Sequence, residues 1–192
     1  MKHYAHFGHN DFIIALGYKG EFIKRYMADY AMLGSSHMKV DMKDGQVMMK
    51  DSNIEGWTVE LVDTGMTTQT GGRIKRLQQY LGNETFMLTW GDSVSTVDLD
   101  KLIAFHRAHR KPATLTAVRP SARYGHLKFD GDRITEFAEK PQTAEGWING
   151  AFLVLEPKIF SYIDDDTTQF EKEPLQRLAA EGQLMAYRHE GF

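Results

Sequence analysis

The 192-residue sequence contains no cysteine. That absence excludes disulfides, thiolate nucleophiles and cysteine-based zinc sites, and it removes the usual clue to redox compartment. An excess of one charge is also lacking. Lysine and arginine number 23 against 26 aspartates and glutamates, a formal net charge of -3, which offers no broad cationic field for nucleic acid or an anionic membrane. Any phosphate chemistry must therefore rest on a few local groups. No apolar stretch reaches the length needed to span a bilayer, and the opening MKHYAHFGHNDF lacks the continuous apolar core of a secretory signal. A cytoplasmic protein with no membrane or nucleic-acid partner is expected. With no repeats, low-complexity segments or long linker, residues 1–192 read as a single α/β domain long enough to bury a substantial core.

What is present is an alternation of strand and helix signals. The opening residues His3, Tyr4 and Phe7 read like the inside of a helix. Residues 11–17 are a short apolar run ending at glycine, the pattern of a parallel strand covered on both faces. A helix over 19–33 follows, with Phe22, Ile23, Tyr26, Met27 and Tyr30 at helical spacing and so facing a core. Gly34-Ser35-Ser36 ends it, and residues 38–50 alternate around Lys43-Asp44-Gly45 as a hairpin. Further strands are predicted at 57–62, 84–90, 113–118 and 147–155, and helices at 71–81 and 98–109, the latter with Leu99, Leu102, Ile103 and Phe105 inward. A hairpin is predicted at 126–137 around Asp130-Gly131-Asp132, with short helices near 158–163 and 171–181. The order implies a mainly parallel, mixed sheet flanked by helices.

Three segments have residue types suited to chemistry. The first is residues 62–73, VDTGMTTQTGGR, a polar loop between strand and helix. Its hydroxyls, its glycines and the arginine at the helix start suit a nucleotide or anion cradle. They equally suit a capped turn with Thr70 as the capping residue. The second is Gly91-Asp92-Ser93, a carboxylate just past a strand end, where open parallel sheets bind ligands and where a hard oxygen suits Mg²⁺; a plain turn is the alternative. The third is Phe137-Ala138-Glu139-Lys140-Pro141 followed by Ile148-Asn149-Gly150-Ala151-Phe152. Lys140 could meet a phosphate while Glu139 and Asn149 bond sugar hydroxyls, or the pair could be a surface ion pair and a strand entry. The histidines His3, His6, His9, His106 and His109 match no zinc motif and are expected on solvated helix faces. The ten methionines are expected to fill core space.

Taken together, GYKG, LVDTG with TGGRIKR, GDS, FHRAH, FAEKP, INGAF and the EPL helix resemble the glucose-1-phosphate cytidylyltransferase family, in order and across essentially the whole chain. The resemblance implies a Rossmann-like nucleotidyltransferase fold and the joining of glucose 1-phosphate and CTP to give CDP-glucose and pyrophosphate. It assigns Thr68, Gly72, Arg73 and Gly91 to the nucleotide, and Asp92 to Mg²⁺. Gly125, Glu139, Lys140, Asn149 and Gly150 fall to the sugar phosphate, with Arg73, Asp92 and Lys140 carrying the chemistry. It further implies a homo-oligomer and a place in sugar-nucleotide and polysaccharide synthesis.

Departures from the family pattern are Ser93 and Ala151, where the family has glycine. The family's first strand with its glycine-rich triphosphate loop and its second metal-binding aspartate find no counterpart within residues 1–192, so a partial domain is expected. Two other readings compete. A metal-dependent glycosyltransferase would present two aspartates one residue apart, whereas Val94 stands two residues after Asp92; a non-catalytic sugar-phosphate-binding domain fits the missing loop. The 192 residues by themselves are expected to turn over CTP and glucose 1-phosphate weakly or not at all, since loss of one well-placed charge-stabilising group costs roughly 10²-fold or more in rate. Pyrophosphate release measured on the purified chain checks this, and robust turnover would contradict it.

Overall fold

In the computed structural model the chain begins with a short helix, α1 (Lys2–His6), whose Tyr4 is buried edge-on to the ring of Phe12. The structure describes residues 1–52, 55–119, 126–138 and 146–191. These fall into two units, residues 1–80 with 163–170 and residues 81–162 with 171–192.

The first unit continues with β1 (Asp11–Leu16), α2 (Gly20–Leu33), β2 (Ser35–Val40), β3 (Val47–Ser52), β4 (Thr58–Asp63) and α3 (Thr70–Arg76), and α4 (Gln78–Leu81) follows. β1 and β4 pair in parallel from Asp11 with Thr58 to Leu16 with Asp63. This agrees with the expected parallel strand, but the two-face burial is not observed: Leu16 is buried, while Phe12 to Ala15 are only half-buried. Among the described residues β1 pairs with β4. β2 and β3 form the expected antiparallel hairpin, with Gly45 at positive φ. The apolar stripe of α2 is a second correction. Phe22, Ile23 and Tyr26 are exposed, and only Met27 and Tyr30 turn partly inward. Tyr30 stacks on Trp57 and donates its hydroxyl to Glu55 at 2.8 Å, and this settles which side of the helix packs.

The second unit holds β5 (Phe86–Thr89), α5 (Leu99–His109), β6 (Ala113–Val118), β7 (His126–Asp130), β8 (Arg133–Ala138), β9 (Ile148–Leu155), a 3₁₀ turn (Pro157–Tyr162), α6 (Glu173–Ala180) and β10 (Leu184–His189). β10, β6, β9 and β5 form one sheet in that order. β10 and β6 are parallel, and β9 runs antiparallel to both β6 and β5. The continuous run Phe152 to Leu155 is buried, as a central strand covered on both faces requires. β7 and β8 pair as the predicted hairpin. Sequence reasoning assigned no element to β10. Its Leu184, Met185 and Tyr187 are half-buried among polar neighbours, and pairing with distant β6 makes it a strand.

Helix α5 begins at Asp98, whose carboxylate accepts from the Lys101 N–H at 3.0 Å, and it lies against β6, β9 and β10. Leu99 and Leu102 are buried as expected. His106 is a correction: it is 2% exposed, one turn along the same stripe, and not solvated.

His106 is tolerated inside because a chain of hydrogen bonds satisfies it. The Lys111 N–H donates to His109 Nδ1 at 2.9 Å, so the proton of neutral His109 sits on Nε2, 2.6 Å from Thr114 Oγ1. The Thr114 hydroxyl then donates to His106 Nδ1 at 2.7 Å, and His106 Nε2–H donates to Glu156 Oε1 at 2.9 Å. Thr85 donates to the same oxygen at 2.7 Å. Burial, followed by the neighbouring His106, lowers the His109 pKa from its ordinary 6.5. For Glu156, burial acts upward as the largest single effect, but hydrogen bonds from His106 and Thr85 together outweigh it and lower the carboxyl from 4.5.

Both shifts have the same sign for stability. Below about pH 6.5 the unfolded chain protonates His109 before the folded chain does, and below 4.5 the same holds for Glu156, so folding weakens as pH falls through each lowered value. Urea unfolding from pH 7.5 to pH 4 is expected to give steadily lower midpoints. Thr114→Val, which strands the buried His106 Nδ1 and the part-buried His109 Nε2, should cost about 1–3 kcal/mol at pH 7.5. A flat pH profile or a neutral Thr114→Val would contradict the hydrogen-bond chain.

Candidate functional site

In the first unit the polar loop after β4 closes on the end of β1. Asp63 accepts from the Gly65 N–H at 2.9 Å, which tightens the turn that follows the strand. Thr64, fully buried, donates both its N–H (2.9 Å) and its hydroxyl (2.8 Å) to the Leu16 carbonyl oxygen. Arg73 reaches the same point: Nη1 donates to Leu16 O at 2.9 Å and to Thr64 Oγ1 at 2.7 Å. The guanidinium lies over Gly17, where a β-carbon would overlap it. Arg73 is therefore held by one of its nitrogens at the C-terminal ends of two parallel strands, the edge where open α/β sheets take ligands.

Thr68 is buried in the same loop beside Gly65 and Gly72. The paired glycines serve a second purpose. A β-carbon on Gly71 would meet Thr168 O at 2.7 Å, and one on Gly72 would meet Asp166 Cα at 2.5 Å. The helix start is thus fitted closely to residues 163–170 of its own unit. Gln69 N–H donates to Asp166 O and Gly71 N–H to Thr168 O, at 2.8 and 2.9 Å. Arg76 pairs with the Asp166 carboxylate, and Lys75 donates to the Ile163 and Asp164 carbonyls. Thr70 does not cap α3. It is the first residue of the helix, Gln69 precedes it, and its hydroxyl accepts from the Phe170 N–H at 2.9 Å.

In the second unit the strand directions bring several candidates to one sheet edge. β5, β6 and β10 end where β9 begins. Gly91 and Asp92 follow β5, and Asn149 and Gly150 open β9. The turn after β5 is fixed by Ser93 N–H donating to Trp90 O at 3.2 Å and by the Trp90 indole donating to Glu171 at 2.9 Å. Asp92 is exposed. Among the described residues no three histidines, aspartates or glutamates cluster as metal ligands, so Asp92 offers a single hard-oxygen ligand, the arrangement Mg²⁺ uses when waters and substrate phosphates complete its shell. Gly125, Glu139 and Lys140 lie outside the described residues.

The start of β9 is bulged. Thr116 alone stands between the pairs Leu115–Leu153 and Ala117–Asn149, so three residues of β9 oppose one of β6. A β-carbon on Gly150 would lie 3.0 Å from Thr116 O and 2.9 Å from Val118 Cγ1. Exposed Asn149 accepts from the Ala151 N–H at 2.8 Å through its side-chain oxygen. Ala151 itself has φ of 64°, the left-handed region that favours glycine. Sequence reasoning missed Leu16 O, Thr64 and Gly17 as parts of the Arg73 setting; the signal available was the threonine inside LVDTG.

Each unit, taken by itself, carries at a strand end a group suited to phosphate, Arg73 in the first and Asp92 in the second, on an α/β framework. The Nucleotidyl transferase family model matches residues 13–191. A glucose-1-phosphate cytidylyltransferase of Salmonella typhi is 44% identical over 193 aligned positions, covering all of this chain and 75% of the relative. A probable glucose-1-phosphate cytidylyltransferase of Bacillus subtilis is 42% identical with the same coverage. HddC from Yersinia pseudotuberculosis superposes with a TM-score of 0.68 at 22% identity, over all of this chain and 75% of that one, a likeness of fold. The chain belongs to the nucleotidyl transferase family and, within it, to the glucose-1-phosphate cytidylyltransferases.

Ala151→Gly is expected to raise stability by about 1 kcal/mol, because an alanine at positive φ costs more than the extra unfolded-state freedom of glycine. Urea unfolding of parent and variant measures it. An unchanged or lowered midpoint would show that the bulge holds Ala151 without strain.

Proposed function

We propose that this chain provides nucleotide- and sugar-phosphate-binding groups for transfer of CMP from CTP to glucose 1-phosphate, giving CDP-glucose and pyrophosphate. The observation that carries the reading is Arg73. Among the described residues its guanidinium is pinned at the ends of β1 and β4 through Nη1, so its remaining N–H groups can meet an anion in a fixed fork. Thr68 and the helix start at Gly72 complete the nucleotide loop, and Gly91 and Asp92 stand at the strand edge of the second unit. The family match running continuously over 13–191 supports treating residues 1–192 as one partial nucleotidyltransferase domain.

In this reading a phosphate oxygen of glucose 1-phosphate attacks the α-phosphorus of CTP in line. The new P–O bond forms as the bond to the departing pyrophosphate breaks, and no covalent enzyme intermediate is needed. Arg73 holds the nucleotide phosphates. Lys140 meets the sugar phosphate as a point charge, Asn149, Glu139 and the backbone at Gly125 and Gly150 position the sugar, and alignment supplies most of the rate. Mg²⁺ held by Asp92 would supply charge neutralisation at the phosphates. A cytoplasmic, homo-oligomeric enzyme of sugar-nucleotide synthesis is the setting that fits these substrates.

Arg73→Ala is expected to weaken CTP binding to the chain about tenfold or more, the loss of a charge-assisted hydrogen-bond set. Calorimetry on parent and variant decides it, and equal affinities would refute the assignment. Asp92→Asn keeps size but removes charge. It should abolish most of the Mg²⁺ enhancement of CTP binding while leaving circular dichroism unchanged; an unaltered Mg²⁺ response would reduce Asp92 to a turn residue.

A further inference from the structure

Two arginines in the second unit share one indole. Arg119 directly follows β6, Trp147 directly precedes β9, and Arg188 lies on β10 opposite Ala117. The guanidinium carbon of Arg119 is 4.7 Å from the centre of the Trp147 ring, and that of Arg188 is 5.6 Å from it. Both distances are in the range of a cation–π contact, and the two charges therefore stand within about 10 Å of each other, close to the screening length at physiological salt.

Among the described residues neither guanidinium has an ion-pair partner, and Arg119 Nε is buried without a hydrogen-bond partner. A buried N–H without an acceptor is costly, and two like charges on one ring repel, so both features ask for an anion. Arg188 is exposed, which leaves the cluster open to solvent. The strands around it end here, at the edge of an α/β sheet where ligands bind.

We propose that Arg119, Arg188 and Trp147 form a binding site for a phosphoryl-bearing anion. Two guanidinium forks match the charge and the oxygen geometry of a phosphate dianion better than those of a single carboxylate. β10 stands three strands from β5 in the sheet order, roughly 14 Å at the usual strand spacing. Arg188 is thus set apart from the turn carrying Asp92, while Trp147 precedes the strand that opens with Asn149; the anion site stands on its own residues whether or not the nucleotidyl-transfer reading holds.

The test is titration of the 192-residue chain with inorganic phosphate, pyrophosphate and glucose 1-phosphate, with acetate as control. Calorimetry and the NMR signal of the Trp147 indole N–H, identified with Trp147→Phe, report binding. Phosphoryl anions are expected to bind and shift that signal while acetate does not. Arg188→Gln should weaken binding at least tenfold with an unchanged circular dichroism spectrum, Arg188→Lys should weaken it less, and Arg119→Gln provides an independent second variant. Because the Trp147 indole belongs to this cluster, its shift reports this site and separates it from binding at the nucleotide loop. Preference for glucose 1-phosphate over inorganic phosphate would identify a sugar phosphate as the source, and equal binding would identify the phosphoryl group alone. Absence of phosphoryl binding, equal binding of acetate, or parent-like titration of both glutamine variants would overturn the proposal.

Discussion

The first unit depends on one carbonyl. Leu16 O accepts from the Thr64 amide, the Thr64 hydroxyl and the Arg73 guanidinium, so the end of β1, the turn after β4 and the first turns of α3 meet at one atom. The geometry requires that residue 17 have no side chain, because the guanidinium occupies that space. It also requires a hydroxyl at residue 64 that both donates to Leu16 and accepts from Arg73. A cation placed in this way cannot sample the range of rotamers open to a surface arginine, and the entropy of ordering it is met before any ligand arrives. In the proposed reading structure and binding use the same side chain, which is why a single substitution at Arg73 bears on both.

The second unit solves the opposite problem. Its central strand is buried and regular from Phe152 to Leu155, but the beginning of that strand holds Asn149 and Gly150 at the sheet edge. The bulge against Thr116 makes the change of course. It leaves the Thr116 hydroxyl buried without a hydrogen-bond partner, a cost of the kind that accumulates where a strand is bent for reasons other than stability. Further along the sheet the chain from His109 through Thr114 and His106 to Glu156 pays no such penalty, because every donor along it has an acceptor.

The sequence was legible where a pattern is local. The continuous run of β1, the hairpin around Gly45, the alternation of β and α, and the buried stripe of α5 at Leu99 and Leu102 follow from spacing alone. It was illegible where partners far along the chain decide. β10 is a strand because β6, about seventy residues earlier, pairs with it. His106 is an interior residue because Thr114 and Glu156 satisfy it, although its position seven residues after Leu99 already put it on the buried face. The α2 stripe shows the converse error, in that periodicity identified the helix but not which side packs; the Tyr30–Trp57 stack and the Glu55 carboxylate decide that. For the candidate site, the residue types at Arg73 and Asp92 were readable, whereas the anchoring of Arg73 by Thr64 and Leu16 O was not, since a backbone acceptor leaves no trace in side-chain chemistry.

Ser93 and Ala151, the two positions at which the sequence resemblance implies glycine, carry different physical weight. Ser93 sits in a turn closed by its own N–H to Trp90 O, and it is not among the non-glycine residues at positive φ. A β-carbon there asks nothing unusual of the backbone, and the serine adds a hydroxyl beside Asp92. Ala151 is held at positive φ, inside the bulge that positions Asn149, with its N–H accepted by the Asn149 side chain. Here the β-carbon opposes the conformation that the bulge needs, and the hydrogen bond to Asn149 helps to hold it. The same bond draws on the Asn149 side-chain oxygen, so in the proposed reading the group left for a sugar ligand is the amide donor. The substitution at residue 151 thus bears on both the stability of the strand entry and the kind of hydrogen bond the entry can offer, while the substitution at residue 93 bears on neither backbone strain nor the course of a strand.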